Sequence, residues 1–304
     1  MQRIFSFYFL YSIKIKYLFL FLFLLNSCKH DVDVDLPPFE EKLVVESYIV
    51  QGDSAFIVRI DKTVNPIIKS NTITYDTNFA GTEVILSYNN NNFKLRQMSV
   101  YLDEGKYNVF SGNHGRFFVL DKKVENINTL KLIANYRTYH VESECVMLPA
   151  VHIKNAVLTG TSNYSESQSR EIYSIFTVNV EADFPSGISY YMMRIMRPPL
   201  DTIREHSLLR EITKGYFVVY NSVQKNKFIF NNTFSEQVGW FNNYTIILSR
   251  IEKLHYYFAL SSVIQFGESN TMIPTETTEV PSNIRGGYGI FTAMSNDTIK
   301  VKIQ

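Results

Sequence analysis

The chain contains two cysteines, whose thiols are its most reactive side chains. Cys28 directly follows Leu25, Asn26 and Ser27, which place a branched apolar residue three positions before it and a small residue one position before it. A thiol in this setting predicts transfer of a diacylglyceryl group to the sulfur, cleavage before Cys28 and acylation of the new amino group. Cys145 lies in an alternating stretch with acidic neighbours, so we expect a buried small hydrophobe there and no disulfide.

The segment before Cys28 supports lipidation. Its first sixteen residues carry three cations and no anion, and residues 17–25 form an uninterrupted apolar run. This is the layout of a signal peptide over residues 1–27, whereas a membrane-spanning helix needs about 20 apolar residues. Together with residues 25–28 the segment resembles a bacterial lipobox, and two or more acyl chains hold a protein stably at a membrane. The alternative is an ordinary signal peptide followed by a chance cysteine.

The mature chain is close to neutral. The sequence has 30 basic and 29 acidic side chains, but Arg3, Lys14 and Lys16 fall in the segment expected to be removed, which leaves a net charge of −2. Binding to nucleic acid requires Lys and Arg clustered against the phosphates. We therefore exclude nucleic acid as a partner.

Residues 28–41 are polar and acidic and contain a proline pair. Asp31, Asp33 and Asp35 alternate as the ligands of a calcium loop do, but the glycine and glutamate that such a loop requires further on are missing. We therefore expect a solvated, lipidated tether and no metal site. In Bacteroidota, acidic residues just after the lipidated cysteine resemble the signal for the outer face of the outer membrane. This predicts surface display, with the periplasmic face of the outer membrane as the alternative.

From residue 42 onward the dominant sequence period is two, with β-branched and aromatic residues in short runs between Asn, Asp and Gly. Residues 42–148 predict an N-terminal immunoglobulin-like or transthyretin-like antiparallel β-sandwich. Pro149 predicts a domain boundary because proline cannot donate to a strand ladder. Residues 149–304 predict a second β-rich domain. The expected strands are 43–50, 55–61, 82–88, 92–98, 107–111, 116–121, 129–136, 138–146, 152–158, 172–182, 189–196, 216–220, 227–230, 245–248, 290–293 and 298–303.

One segment of the second block departs from this period. Ser249 and Glu252 match a capping box, in which the serine covers an orphan amide and the glutamate reaches back. The residues that follow, as far as Phe266, lack Gly and Pro and repeat apolar groups at helical spacing. We expect one helix near 250–266, packed on the second sheet.

The spacing of the remaining histidines, acids and glycines indicates no catalytic, cofactor or metal site. The six histidines occur singly, without His-Glu-x-x-His or another metal-ligand spacing. Residues 286–289, Gly-Gly-Tyr-Gly, lack the strand and helix that flank a phosphate cradle, so we expect a tight turn with positive φ angles. Trp240, Phe241 and Tyr244 are the aromatic residues we single out as candidate ligand contacts, with filling of the core as the alternative.

Several motifs together resemble one family. They are the lipobox, the acidic tether with its proline pair, Lys42-Leu-Val-Val-Glu-Ser-Tyr48, Leu254-His-Tyr-Tyr-Phe-Ala-Leu260 and Pro281-Ser-Asn-Ile-Arg-Gly-Gly-Tyr-Gly-Ile-Phe291. The last motif is the most specific, because it is similar to the Asn-Ile-x-Gly-Gly-x-Gly-Ile-Phe with which the DUF4249 family of Bacteroidota lipoproteins typically closes. The chain departs from the family pattern at residues 116–120 and 231–235.

The resemblance to DUF4249 implies a general role without implying a site. Members resemble outer-membrane lipoproteins that tend to be encoded beside TonB-dependent receptors, and no catalytic residues come with the family. We therefore expect a non-enzymatic binding or accessory protein, anchored to the outer membrane through acyl chains and associated with a TonB-dependent nutrient transporter. An adhesion or envelope-structural lipoprotein is the alternative. A hydrolase whose site assembles from distant loops is a more remote one.

Overall fold

The structure is a computed structural model that describes residues 38–63, 79–98, 116–125, 127–163, 173–185, 188–196, 217–223, 227–235, 243–267 and 280–302. The chain divides into two compact units, Met1–Glu40 and Glu41–Gln304. The predicted signal peptide, residues 28–37 of the tether and the strand expected at 107–111 lie outside the described residues.

The described part of the second unit is mainly β, with one helix. This confirms the predicted fold class, and the strands expected at 43–50 and 129–136 have the predicted bounds. The strands are β1 Leu43–Val50, β2 Phe56–Lys62, β3 Glu83–Tyr88, β4 Asn91–Lys94, β5 Arg96–Gln97, β6 Phe117–Leu120, β7 Thr129–Tyr136, β8 Tyr139–Val146, β9 Ile153–Asn163, β10 Tyr173–Ala182, β11 Ile188–Met196, β12 Phe217–Val223, β13 Lys227–Ser235, β14 Asn243–Ile251 and β15 Tyr288–Lys302, and the helix α1 is Lys253–Gly267.

The described strands form three sheets. The large sheet has eight strands in the order β12-β11-β14-β15-β1-β2-β6-β5, beside a four-stranded sheet β4-β3-β7-β8 and a three-stranded sheet β13-β10-β9. β1 and β15 pair in parallel, with Val44 opposite Tyr288 and Val50 opposite Met294. The other paired strands run antiparallel. Pro149 lies between β8 and β9, and the large sheet contains strands from both sides of it.

The inner face of the large sheet, which carries Val45 of β1, is covered by the two smaller sheets. One hydrophobic core joins Val45 to Leu86 and Leu132 of the four-stranded sheet. A second core joins Tyr191 of β11 to Val178 of the three-stranded sheet. Sheets that share a buried apolar core in this way form a β-sandwich, and removal of that apolar area from water is its main source of stability.

The opposite, outer face of the large sheet is partly covered by α1. A third apolar cluster there joins Ala259 of the helix to Val50, Met192, Ile251 and Met294 of four neighbouring strands. The prediction that one helix near 250–266 packs on the sheet is confirmed.

The capping box predicted at the start of this helix is wrong. Ser249 belongs to β14, is fully buried, and its hydroxyl donates to Asn296 Oδ1 at 2.6 Å. The helix begins at Lys253, and the carbonyl of Glu252 accepts its first helical hydrogen bond, from Tyr256 N at 3.1 Å. A partner in β15 therefore holds the serine in the sheet, and the helix starts later than its local sequence indicates.

Candidate functional site

The glycines at 286–289 form a structural joint. Gly286 has a φ of 78° and Gly289 a φ of 110°, which confirms the predicted turn with positive φ angles. A Cβ atom on Gly289 would lie 1.9 Å from the carbonyl oxygen of Val45, and one on Gly286 would lie 2.4 Å from that of His140. Glycine is needed at both positions because the backbone entering β15 approaches β1 and β8 too closely for a side chain.

The residues just before these glycines tie the four-stranded sheet to β15. The Asn283 side chain donates to Phe291 O at 2.7 Å and accepts from Phe291 N at 3.0 Å, so its amide pairs with the strand as another backbone would. Ser143 Oγ donates to Asn283 O at 2.9 Å. Arg285 and Glu142 exchange backbone hydrogen bonds at 2.8 and 3.1 Å. The most specific sequence motif of the chain therefore has a structural explanation.

The outer face of the large sheet carries a charged groove, which we define as Val44, Glu46, Arg59, Asp61 and Lys62. Its cavity has a volume of about 140 Å³. In the β1–β2 ladder Val44 lies opposite Asp61 and Glu46 lies opposite Arg59. Directly opposed residues project from the same face of a sheet, so this register brings the four side chains together.

The charges of the groove are engaged in ion pairs, and Lys62 Nζ pairs with Glu41 Oε1 at 3.2 Å, just before β1. Arg59 Nη1 donates to Glu46 Oε2 at 3.0 Å, and Arg59 Nη2 donates to Asp61 Oδ2 at 3.1 Å. Arg116, next to β6, donates from Nη1 to the same Asp61 oxygen at 2.8 Å. Two carboxylates and two guanidiniums thus form a chain of ion pairs that is neutral overall. Guanidinium–carboxylate bonds of this kind are directional, so they fix the shape of the groove.

Burial changes the acid–base properties of Glu46. The pKa of its carboxyl is raised because burial disfavours the charged form, while the neighbouring Arg59 opposes this shift. The pKa of Tyr48, further along β1, is raised well above its usual value by burial and then by the charge of Glu46. Glu46 therefore lies at the border between the groove and a drier region beneath α1.

That drier region contains a polar cluster, which we define as Tyr48, Arg194, His255 and Thr292. His255 of α1 is 1% exposed, its Nδ1 lies 3.3 Å from Thr292 Oγ1, and its ring centroid lies 5.5 Å from that of Tyr48. Burial, followed by the charge of Arg194, lowers the pKa of His255 to about 3. An imidazole with such a pKa is a weak base at neutral pH, so the polar cluster is suited to support the sheet and α1 rather than to transfer protons.

The described residues offer no arrangement typical of a metal or membrane-spanning site. Within these ranges no group of three or more His, Cys, Asp and Glu side chains is placed to hold a metal ion. Nor does any described helix have the length and apolar character to cross a membrane.

Most of the predicted site residues fall outside the structural description. Of the three aromatic residues singled out in the sequence, Tyr244 is described, and it is buried in the second core with 4% of its surface exposed. Cys145 is buried in the first core, as expected, and burial raises the pKa of its thiol. The residues not described are Leu25, Asn26, Ser27, Cys28, Trp240 and Phe241.

The sequence interpretation missed the groove residues. Glu46, Arg59 and Asp61 stand at alternate positions in strands that were predicted, where a charged side chain usually faces solvent. The sequence did contain one indication of the groove, namely the charged residues Glu46, Arg59, Asp61 and Lys62 in two neighbouring strands. The register that brings these residues together depends on tertiary pairing, which local sequence does not show.

The fold and the groove define a mainly β sandwich with a charge-balanced groove on its outer face. The chain belongs to the family described as "Domain of unknown function (DUF4249)", whose model matches residues 29–300. No curated protein matches the chain. Among solved structures, the chain is similar to the crystal structure of bovine butyrophilin at 11% identity, over 86% of this chain and 99% of that one, with a TM-score of 0.19. A similarity at that TM-score carries no argument about fold or function.

Proposed function

We propose that the protein is a lipid-anchored binding or accessory protein of the outer membrane that works beside a TonB-dependent nutrient transporter. The observation that carries the proposal is the run Leu25-Asn-Ser-Cys28 after the apolar segment 17–25. The family match starts at residue 29, directly after Cys28, which fits a mature protein whose first residue is the acylated cysteine. Acyl chains on one cysteine suffice for stable attachment.

The charged groove supports binding rather than catalysis as the task of the body. Glu46, Arg59 and Asp61, with Arg116 beside them, are engaged in mutual ion pairs, and Lys62 is paired with Glu41. A catalytic acid or base needs a pKa near the working pH and access to its substrate, whereas His255 is buried with a pKa of about 3. Paired charges that line a small cavity are suited to orient a ligand by hydrogen bonds.

The sequence supports the outer membrane as the location and the transporter as the partner in this proposal. Acidic residues at 31, 33 and 35 follow Cys28 closely, and the family resemblance implies genes beside TonB-dependent receptors. A body anchored at Cys28 stays within reach of a neighbouring barrel in the same membrane, which raises its effective concentration there.

The lipid anchor is tested on the protein expressed in a member of the Bacteroidota, the phylum that the family resemblance indicates. We expect the N-terminal peptide to start at Cys28 with the mass of its acyl chains, and Cys28→Ala to lose acylation and membrane association. Ser27→Ala is the matched control, because it keeps a small residue before the cysteine and should still be processed. Mass spectrometry of the N-terminal peptide decides, and an unmodified Cys28 thiol would remove the proposal.

The transporter association is tested by affinity purification of the tagged protein in mild detergent. We expect an outer-membrane barrel to co-purify with the wild type and to be lost with Cys28→Ala. Elution of a single protein would count against the association. Self-association or binding to extracellular matrix without a barrel would favour the adhesion or envelope-structural alternative.

A further inference from the structure

Tyr288 lies beside the charged groove on the outer face of the sheet. It is the first residue of β15, and it pairs with Val44, which lines the groove. Its side chain is 50% exposed, more than the 42% of Tyr257 on α1. The ammonium of Lys42 lies 5.4 Å from the centroid of the Tyr288 ring, which holds the ring in place by a cation–π contact. The arrangement presents a fixed aromatic surface next to hydrogen-bonding groups.

The charge balance of the groove selects against a charged ligand. Glu46 and Asp61 are matched by Arg59 and Arg116, and Lys62 is matched by Glu41, with the closest atoms of each pair no more than 3.2 Å apart. An ionic ligand would have to break one of these partly buried pairs or add an uncompensated charge, and both are costly. A neutral ligand with several hydroxyls accepts bonds from guanidinium and donates bonds to carboxylate without disturbing the pairs.

The size of the cavity restricts the part of the ligand that enters it. A volume of about 140 Å³ is well below the roughly 300–1,000 Å³ of pockets that enclose drug-sized molecules. One ring of a ligand fits there, and the remainder must extend along the outer face. Val44 and Tyr288 supply the apolar contacts for such a ring, and Glu46, Arg59 and Asp61 supply the polar ones.

We infer that the charged groove and Tyr288 bind a neutral sugar residue of an oligosaccharide. The apolar C–H face of the sugar ring stacks on Tyr288, and its hydroxyls bond to Arg59 and Glu46. This inference rests on the proposed binding function, since it names the ligand class, but it does not depend on the lipid anchor. A free amino acid is also neutral overall, yet its carboxylate would compete with Glu46 for Arg59. Its ammonium would compete with Arg59 for Glu46.

The test uses the full chain in detergent on an array of immobilised neutral, amino and uronic-acid glycans. Isothermal titration calorimetry then follows with the free neutral oligosaccharide that gives the strongest signal. We expect binding to neutral sugars that changes little with salt concentration, because no net charge is neutralised. Absence of binding to any glycan would overturn the inference, as would binding confined to charged sugars or, in a parallel titration, to free amino acids.

Variants locate the site. We expect Tyr288→Ala to weaken the binding roughly tenfold, because it removes the stacking surface, and Tyr288→Phe to stay within about threefold. Tyr257→Ala is the matched control, since Tyr257 is similarly exposed on α1 and contacts Tyr190 of β11, three strands away from β1, and it should bind as the wild type does. Equal losses for Tyr257→Ala and Tyr288→Ala would overturn the assignment to the groove.

The two proposals fail separately. The mass of the N-terminal peptide is measured on the same preparation that is used for calorimetry. If Cys28 is acylated and no sugar binds, the ligand class is wrong while the anchor stands. If sugar binds and Cys28 carries a free thiol, the anchored function is wrong while the sugar site stands.

Discussion

The two faces of strand β1 have opposite characters. On the inner face Leu43, Val45 and Ile49 are at most 1% exposed and belong to the first core. On the outer face Val44 and Glu46 line the charged groove. Alternate residues of one strand therefore contribute to the hydrophobic core on one side and to the charged groove on the other.

This difference follows from the position of β1 within the large sheet. The strand has neighbours on both sides, β2 and β15, so both edges of its backbone are hydrogen-bonded. The backbone is thereby fixed without help from the outer side chains, which are free to be polar. Changes on the inner face and at the β1–β15 joint should therefore reduce stability, whereas changes on the outer face should affect binding first.

The largest expected effect is that of Gly289→Ala at the joint. The new Cβ would meet the Val45 carbonyl oxygen at 1.9 Å in a backbone with φ of 110°, so β1 and β15 would have to separate. We expect a loss of at least about 4 kcal/mol in the free energy of unfolding, or failure to fold. Gly52→Ala is the control, because Gly52 also has positive φ but no atom lies within 4 Å of its added Cβ.

Urea unfolding followed by circular dichroism compares the two glycine variants. Gly52→Ala should lower the free energy of unfolding only by the cost of placing an alanine at positive φ, which is about 1–2 kcal/mol. Equal losses for both variants would show that close approach at the joint has no effect of its own.

A smaller effect separates the two faces of β1 directly. Leu43→Ala should lower the free energy of unfolding by about 2–5 kcal/mol, because it leaves a cavity in the first core. Val44→Ala, one residue further on, should cost less than about 1 kcal/mol. Denaturant titration of both variants measures the difference, and a Val44→Ala loss as large as that of Leu43→Ala would contradict the division between faces.

The smallest effect concerns pH and the polar cluster. His255 has a folded-state pKa of about 3 against 6.5 when unfolded, so below pH 6.5 the unfolded state binds the proton and the folded state does not. Stability should therefore fall as pH falls, by about 2 kcal/mol between pH 7 and pH 5 from this group. Glu46 and Glu252, whose pKa values are raised, act in the opposite direction but are common to both proteins compared.

The comparison for this prediction is the wild type against His255→Gln. The variant cannot take up the proton, so its unfolding free energy should depend less steeply on pH between 7 and 5. Denaturant unfolding at each pH measures both slopes. Parallel slopes would show that His255 is not held neutral beneath α1.

Local alternation was enough to predict much of the fold. β1 and β7 have the predicted bounds because their residues alternate between buried and more exposed positions, except at the end of β1, where Ile49 and Val50 are both buried. The predicted break within residues 290–303 was wrong, since β15 runs unbroken from Tyr288 to Lys302. Asp297 there accepts a hydrogen bond from Ile153 N at 2.7 Å, so a distant partner satisfies a polar residue that locally indicates a turn.

The candidate site was less accessible to sequence reasoning than the fold. Glu46 and Arg59 have the appearance of ordinary solvent-facing strand residues, and their 3.0 Å ion pair exists only because β1 and β2 pair in one register. Burial beneath α1, which sets the pKa of His255, depends likewise on the packing of the helix. Alternation therefore predicts which elements form, but not which side chains meet.

The parallel pairing of β1 with β15 also sets an order of events during synthesis. The earliest described strand obtains one of its two neighbours only when the latest described strand has emerged, since Val44 pairs with Tyr288. Until then β1 has an open edge that can recruit foreign strands. Contacts this distant along the chain make folding slow, so we expect the unfolded protein to depend on holding chaperones until β15 is available to pair with β1.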